Sequence, residues 1–438
     1  MGIKYKTEFY KMKQSWPEIL LIYCIVLMGA IRDEFSFLSF APHELLIIVL
    51  FVRIFLSKTR ISFTKVDLSF TVFYLGIYII PMLVNIAEFK SSIHNISSNF
   101  LVIKIWLFYK VIEHYLCSSG KRAFLIKLNI LSEAFLNAAL ISAILGLLFF
   151  FNILPMEVLY KSKELYSSRL ATTVGGINTT GVFFSLMVCL ELFKTLWYKQ
   201  KLNRKHMVRL VFFLSNILLS GSMTGMGVLV VSILAYLNYA ADSKIVIRSI
   251  FVFSVVIFVF LALPWADRAQ ELVSGRINKR IVENKYADET ILPSNLYGRY
   301  LEWDVLTRKI LKTKPIFGYG FKSKEYYGAK ETNFRDVRIV IPESYYMNIL
   351  IYGALFGLLC YIIHVLLLGN LVSKIGYKKQ KAMRGFLFTI MVAYMLAQVT
   401  QTTLQYSGLT EFYGFYLAII GSIVILNKKS KIIRNNGR

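Results

Sequence analysis

Six arginines lie in polar stretches between long apolar runs, and their side chains would suit an anionic ligand. They are Arg169, Arg276, Arg280, Arg299, Arg335 and Arg338. The guanidinium group stays charged and binds the oxygens of a phosphate in pairs. The last five lie within residues 267–341, the longest polar segment of a very apolar chain. We therefore expect this segment to bind a ligand that carries phosphate.

A carboxylate and two tyrosines stand at the start of a later apolar run, in the order Glu343, Ser344, Tyr345, Tyr346. Burial against the tyrosines would raise the pKa of Glu343 toward the range of a general base, which could take the proton of an attacking hydroxyl. A structural interpretation is equally open. In it, Glu343 caps the helix or pairs with an arginine of the preceding segment.

The acidic residues of the same region do not predict a metal site. Glu302 and Asp304 flank Trp303 on a predicted helix. Side chains two residues apart on a helix point about 200° away from each other, so these two carboxylates cannot chelate one ion. We expect neither a metal nor any other cofactor.

The composition indicates an all-α polytopic membrane protein. Of 438 residues, 56% are hydrophobic and 17% are charged, and the mean hydropathy is +0.56. The formal net charge of +26 is spread between the apolar runs, whereas a nucleic-acid-binding protein gathers its basic residues on one face. Four cysteines without CxxC spacing predict neither a disulfide framework nor a metal knuckle.

Twelve apolar runs are candidates for membrane-spanning helices, each of which needs about 17–25 apolar residues. The candidates are residues 16–31, 41–56, 68–87, 99–116, 128–151, 174–193, 208–221, 224–240, 247–266, 342–368, 386–403 and 409–427. The sequence thus predicts one membrane domain, residues 1–438, with one large loop at 267–341. Its least secure boundary is the turn at residues 220–222, because a single bent span there would invert everything that follows.

The basic residues predict which helix ends face the cytoplasm. With a cytoplasmic N-terminus, the segments on the inner side hold 28 Lys and Arg, and the short outer loops hold five. This bias fits the positive-inside rule, from which long loops such as 267–341 are exempt. We therefore expect both termini in the cytoplasm. The large loop and Arg169 would then lie together on the extracytoplasmic side.

Apolar residues recur at helical spacing within the large loop. Leu296, Tyr300, Trp303, Leu306 and Ile310 predict a helix from Ser294 to about Thr313, ended by Pro315, Gly318 and Gly320. Such a helix could also lie on the membrane interface.

Two lysines fall inside the fourth candidate span. Lys104 is nearer the outer end, where it would either contact a lipid phosphate or extend to the membrane surface. Lys110 is expected to extend to the surface, because burying an ammonium group in the membrane is costly.

Three segments stand out as an ordered set. They are Ser168-Arg169-Leu170 with Gly175-Gly176-Ile177-Asn178, then Gly298-Arg299 and Trp303 with Pro315-Ile316-Phe317-Gly318-Tyr319-Gly320, and then the run from Glu343 to Gly353. Together they resemble the family of O-antigen and capsule repeat-unit polymerases (Wzy type) and lipopolysaccharide O-antigen ligases. The likeness covers about residues 165–360. In the turn at residues 219–225, Met223 stands where that family often has a basic residue.

The resemblance implies a GT-C-like glycosyltransferase of the bacterial cytoplasmic (inner) membrane. It would transfer glycan from undecaprenyl diphosphate to a sugar hydroxyl outside the cytoplasm, without a metal. Its implied partners are the lipid-linked donor and acceptor, the bilayer, a flippase and a chain-length regulator. The implied catalytic residues are Glu343, Arg299 and Arg169, and the implied substrate-binding residues are Arg276, Arg280, Trp303, Gly318, Gly320, Tyr345, Tyr346, Asn178 and Lys104.

The resemblance leaves three functions to compare. Ligases of this family usually carry a histidine where this chain has Glu343, which favours a polymerase over a ligase. A lipid-linked oligosaccharide flippase or transporter is the alternative from another class. Transporters usually show paired halves and broken helices near the middle of the membrane, whereas the polar residues here gather in one outer loop.

Overall fold

The computed structural model describes residues 15–28, 42–57, 61–85, 92–118, 120–154, 170–199, 202–239, 294–320, 333–334, 337–338, 344–375, 381–400 and 408–436. Helices make up nearly all of this part of the chain. A short antiparallel pairing joins β1 (Asn333–Phe334) and β2 (Val337–Arg338). The all-α prediction is therefore confirmed apart from this two-residue pairing.

The helices are α1 (Trp16–Met28), α2 (Pro42–Leu56), α3 (Lys65–Tyr74), α4 (Ile80–Val84), α5 (Ser92–Cys117), α6 (Gly120–Phe150), α7 (Ile177–Trp197), α8 (Arg204–Ser220), α9 (Met223–Tyr239), α10 (Ser294–Thr313), α11 (Tyr345–Ser373), α12 (Lys381–Thr400) and α13 (Leu409–Asn436). A π-helical segment (Leu75–Ile79) joins α3 to α4. Local signals fix several helix starts. For example, Thr64 and Asp67 form a capping box before α3.

Six helices of the described residues are long and apolar enough to cross a membrane. They are Lys65–Val84, Ala123–Phe150, Ile177–Trp197, Tyr345–Ser373, Lys381–Val399 and Leu409–Lys428. Two shorter apolar helices are α1 and α9. These spans support a polytopic membrane protein. Eleven of the twelve predicted runs fall on helices, and the run at 247–266 lies outside the described residues, so the count of twelve spans stays a prediction.

The uncertain boundary at residues 220–222 is a true chain reversal. Gly221 has a left-handed conformation (φ 56°, ψ 29°) that ends α8. On the neighbouring helix α7, Phe184 packs against Phe213 of α8, and Ser185 donates a hydrogen bond to the Gly225 carbonyl of α9. The helices α8 and α9 are therefore separate elements, and the single bent span is excluded.

Along the chain, the helices α5 to α9 alternate in direction, and so do α11 to α13, so the bundle has two ends. At one end, Thr173 just before α7 donates to the Val26 carbonyl near the end of α1, at 2.8 Å. The Ser344 hydroxyl at the start of α11 donates to the Gln398 carbonyl near the end of α12, at 3.4 Å. We call this the loop end, because α10 and the segment that follows it pack there.

The opposite end holds the other set of helix ends. Arg209 near the start of α8 bonds Glu133 of α6 at 2.6 Å. Lys381 at the start of α12 lies over the ring of Tyr239, the last residue of α9. The core between the two ends is a continuous apolar cluster of buried side chains drawn from almost every helix.

Candidate functional site

The helix α11 is broken inside the bundle, next to the loop end. Ala354 has φ 44° and ψ −135°, a backbone conformation that non-glycine residues rarely adopt. Such a break deprives the carbonyls before it and the amides after it of their helical partners. Within a membrane these groups need partners inside the protein.

The segment 315–320 supplies those partners. Four main-chain hydrogen bonds join it to α11: Tyr319 N to Ile351 O at 2.8 Å, Gly320 N to Tyr352 O at 3.0 Å, Leu355 N to Pro315 O at 3.2 Å and Phe356 N to Ile316 O at 3.0 Å. The motif that ends α10 thus completes the broken helix. Two of the three segments singled out in the sequence are joined in this way.

The glycines of this motif are needed where they stand. Gly318 (φ 60°) and Gly320 (φ 84°) both have left-handed conformations that favour glycine. A Cβ atom on Gly318 would lie 2.6 Å from the Ile351 carbonyl oxygen, and 2.9 Å from the amide nitrogen of Ala354. Both glycines are buried. Their role in this structure is close backbone packing, while the predicted contact with substrate stays a prediction.

Asn85, just after α4, fastens the same segment from the other side. Its amide nitrogen donates to the carbonyl oxygens of Gly318 (3.1 Å) and Pro81 (2.7 Å). Its oxygen accepts from the ammonium of Lys314, at 2.6 Å, and Lys314 also lies over the ring of Tyr319. Neither Asn85 nor Lys314 was predicted. The position of Lys314 directly before the Pro315 motif is the sequence signal that could have suggested a role for this lysine.

The π-helical segment packs against the break in α11. The carbonyl oxygen of Gly76 would lie 3.0 Å from a Cβ atom on Gly353. Single π-helical turns within α-helices occur often at functional sites. The π-helical segment and the break in α11 are both irregular backbone, and they therefore face each other near the loop end.

The first turn of α11 is held by hydroxyl contacts. Tyr345 is buried, and its hydroxyl lies 3.0 Å from that of Tyr78 in the π-helical segment. Tyr346 is half-buried and donates to the Met395 carbonyl at 3.0 Å. Its ring packs edge-on against Tyr361. The two tyrosines that follow Glu343 thus form part of a polar, aromatic wall at the loop end.

The glycine-rich start of α7 lies at the same end. The amide of Leu170 donates to the Leu219 carbonyl at 3.2 Å, which ties the chain after Arg169 to the end of α8. Gly176 precedes α7, and Asn178 in its first turn is half-buried. A Cβ atom on Gly225 would lie 2.5 Å from the Gly181 backbone, so α7 and α9 start in close contact.

A chain of contacts joins this segment to the start of α11. Val174 packs against Gly408, just before α13. Tyr394 of α12 donates to the Leu409 carbonyl, and Ser344 reaches the end of the same helix α12. The segments that follow Arg169 and Glu343 are therefore at one end of the bundle.

The structure locates the predicted site residues to different degrees. Arg169, Arg276, Arg280, Arg335 and Glu343 lie outside the described residues. For Arg299 and Arg338 the structure describes the backbone, which places Arg299 in α10. Their roles stay predictions.

The predicted helix in the loop is confirmed as α10. Its buried face differs from the predicted apolar face, because Leu301 is buried in place of Tyr300. Leu301, Leu306 and Ile310 are buried, Trp303 is half-buried, and Tyr300 is 55% exposed. The helix packs on α11. Contact with the bundle, rather than the interface alone, thus positions the helix that carries Arg299.

Both lysines of α5 are buried in ion pairs. Lys104, 1% exposed, lies 3.1 Å from Glu44 and 2.7 Å from Glu411. A contact with a lipid phosphate would require its ammonium to leave these carboxylates. Lys110 pairs with Asp67 and Glu113 at 2.7 Å each. The prediction that Lys110 extends to the membrane surface is therefore wrong, because internal carboxylates offset the cost of burial.

Metal-binding clusters were sought in the part of the chain that the structure describes. No group of three His, Cys, Asp or Glu residues there could hold an ion. Asp304, one of the two loop carboxylates considered above, instead pairs with Arg308 at 2.9 Å, one turn along α10.

Residues 208–362 match the family model described as O-Antigen ligase. The matched region begins in α8, includes α9, α10 and the 315–320 segment, and ends within α11. The comparison with curated proteins gives no match. The family match supports the family of O-antigen ligases and polymerases, whose members transfer glycan at membranes. With the apolar helices, it points to the bacterial inner membrane.

Proposed function

We propose that this protein polymerises undecaprenyl-diphosphate-linked oligosaccharide repeat units into O-antigen or capsular polysaccharide, at the extracytoplasmic face and without a metal. The observation that carries the proposal is the docking of segment 315–320 onto the broken helix α11. It holds the helix of Arg299 against the helix that follows Glu343. Arg299 and Glu343 both lie within residues 208–362, the region that matches the family model.

The reaction needs a base, an attacking hydroxyl and a stabilised leaving group. The acceptor hydroxyl oxygen attacks the anomeric carbon of the donor and gives its proton to Glu343. The bond between that carbon and the diphosphate oxygen breaks, and the electron pair goes to the oxygen. Arg299 and Arg169, with Arg276 and Arg280, stabilise the departing diphosphate. Direct attack of this kind inverts the anomeric centre.

An O-antigen ligase is the second candidate, and the description of the matched family favours it. A ligase would use the same diphosphate-linked donor and differ in its acceptor. Glu343, in place of the histidine usual in ligases, is our reason to prefer the polymerase.

Reconstitution of the purified protein with its lipid-linked repeat unit distinguishes these functions. A polymerase produces a ladder of lengthening glycans, whereas a ligase makes one transfer to a second acceptor. Movement of the lipid-linked glycan across the bilayer without new glycosidic bonds would overturn both enzymatic proposals. We expect full activity to persist in EDTA, and loss of activity that added Mg²⁺ or Mn²⁺ restores would contradict the metal-independent step.

A further inference from the structure

Asn348 is a buried amide in the second turn of α11 with unmet hydrogen-bonding capacity. Its side chain is 1% exposed, and neither its oxygen nor its nitrogen has a hydrogen-bond partner among the residues that the structure describes. Buried polar atoms in folded proteins nearly always have such partners. An amide to which the described residues give neither a donor nor an acceptor contact is therefore available to a bound group that completes both.

The position of Asn348 on the helix shows where that group would lie. Residues three and four apart on a helix share a face, so Asn348 shares a face with Tyr345 and Tyr352. Both tyrosines contact Tyr78, through a hydroxyl pair at 3.0 Å and through rings whose centroids are 6.3 Å apart. Asn348 therefore lies on the same helix face as the two tyrosines that contact the π-helical segment, about one helical turn, or roughly 6 Å, from Ser344 at the loop end.

The chemistry of the amide selects the kind of ligand. A carboxamide both donates and accepts hydrogen bonds, and a sugar hydroxyl does the same. A phosphate at neutral pH offers mainly acceptors, so it would leave the amide oxygen unpaired. The neighbouring tyrosine rings add amphipathic surfaces with hydroxyl groups. A hydroxylated ligand fits this surface better than the diphosphate does.

We propose that Asn348 is a further substrate-binding residue, whose amide binds hydroxyl groups of the sugar in the lipid-linked glycan. This inference rests on the proposed glycan transfer, and it assigns sugar recognition to the wall of α11 and the π-helical segment. Phosphate recognition remains with the arginines of the loops. The two halves of the substrate are thus bound by different elements.

A binding comparison with two lipids tests this assignment. The probes are undecaprenyl-diphosphate-linked oligosaccharide, purified from cells that make it for this protein, and undecaprenyl diphosphate without sugar. For N348L in lipid nanodiscs, we expect the Kd for the glycan-bearing lipid to rise about ten- to a hundredfold, since two hydrogen bonds are lost. The Kd for the sugar-free lipid should stay within about twofold of wild type, because the diphosphate contacts are intact.

Asn216 provides a control, since it is also a fully buried amide, but its nitrogen donates to the carbonyls of Ala143 (3.2 Å) and Phe212 (2.8 Å), and only its oxygen has no partner among the described residues. N216L should lower the Tm and leave the preference for the glycan-bearing lipid unchanged. N348L should keep or raise the Tm, because it removes an amide that has no partner among the described residues.

Three outcomes would overturn the assignment of Asn348. They are unchanged affinity of N348L for both lipids, equal loss of affinity for both, and a fall in Tm matched to that of N216L without a loss of lipid preference. The first would mean that the amide holds only water. If wild type binds the glycan-bearing lipid but makes no glycosidic bond, the proposed function fails, while the binding comparison still decides the role of Asn348.

Discussion

The two ends of the bundle differ in how their buried polar groups are arranged. At the opposite end, Arg209 is fully buried between Glu133 (2.6 Å) and Glu191 (3.2 Å), and Lys194 and His206 pair with the same two carboxylates. At the loop end, α11 is broken, its gap is filled by a segment from another part of the chain, and a buried amide has no described partner.

This difference separates a structural use of polarity from a functional one. Paired charges between α6, α7 and α8 fix the relative positions of three helices. Irregular backbone costs stability, and it persists where function requires it. We therefore expect variants at the opposite end to change stability, and variants at the loop end to change glycan transfer.

The largest effect is expected for Glu343→Gln at the loop end. Loss of the proposed base should reduce the rate of glycan polymerisation about 10²–10⁴-fold, with the Tm unchanged. A rate assay on purified, correctly folded protein measures this. If Glu343 merely caps α11, the rate would stay near wild type and the Tm would fall.

Arg209→Met should have the largest effect at the opposite end. It would leave the buried Glu191 without its guanidinium partner, which costs about 3–5 kcal/mol of folding free energy. Thermal unfolding in detergent should show a lower Tm. The folded fraction should still polymerise glycan at the wild-type rate, and a loss of rate per folded molecule would break the distinction between the two ends.

Gly318→Ala tests the joint between the 315–320 segment and α11. The left-handed conformation and the close Ile351 carbonyl should together cost about 1–3 kcal/mol. Displacement of the loop helix should lower the rate about tenfold or more.

Gly227→Ala is the control for this change, because a Cβ atom there would meet only Leu396, at an ordinary 3.5 Å. Both its rate and its Tm should stay near wild type. If Gly318→Ala and Gly227→Ala changed the rate and the Tm equally, the contact between segment 315–320 and α11 would have no specific role in glycan transfer.

The smallest effect is expected for Arg308→Ala. Arg308 lies on α10 like Arg299, but it is 80% exposed and pairs with Asp304 one turn away. Surface pairs of this kind contribute about 0.3–0.5 kcal/mol. The rate should therefore hardly change, and a large loss would mean that any positive charge on α10 supports the reaction.

Much of the fold could be predicted from hydropathy and from helix start and stop signals, because both depend only on residues close together in the sequence. The helix from Ser294 to Thr313 and its end at Pro315 are examples. The pairing of segment 315–320 with α11 could not be predicted, because main-chain hydrogen bonds leave little trace in side-chain identity. The break falls at Ala354, a residue that on its own favours helix.

The buried charges show a second limit. Lys110 was expected at the membrane surface, although Glu113 lies three residues along the same helix and could have suggested a pair. Its other partner, Asp67, comes from a different helix and depends on the tertiary fold. For the same reason the partners of Lys104, Glu44 and Glu411, could not be chosen from the sequence.

A double-mutant cycle on Arg169 and Arg299 tests the central claim, that cations from two loops bind one leaving diphosphate. We predict that Arg169→Ala and Arg299→Ala each lower the rate of glycan transfer about 10²–10³-fold. Their combination should lower it by clearly less than the product of the two, as expected for groups that act together. A wild-type rate in either single variant, or fully multiplicative losses, would contradict the account.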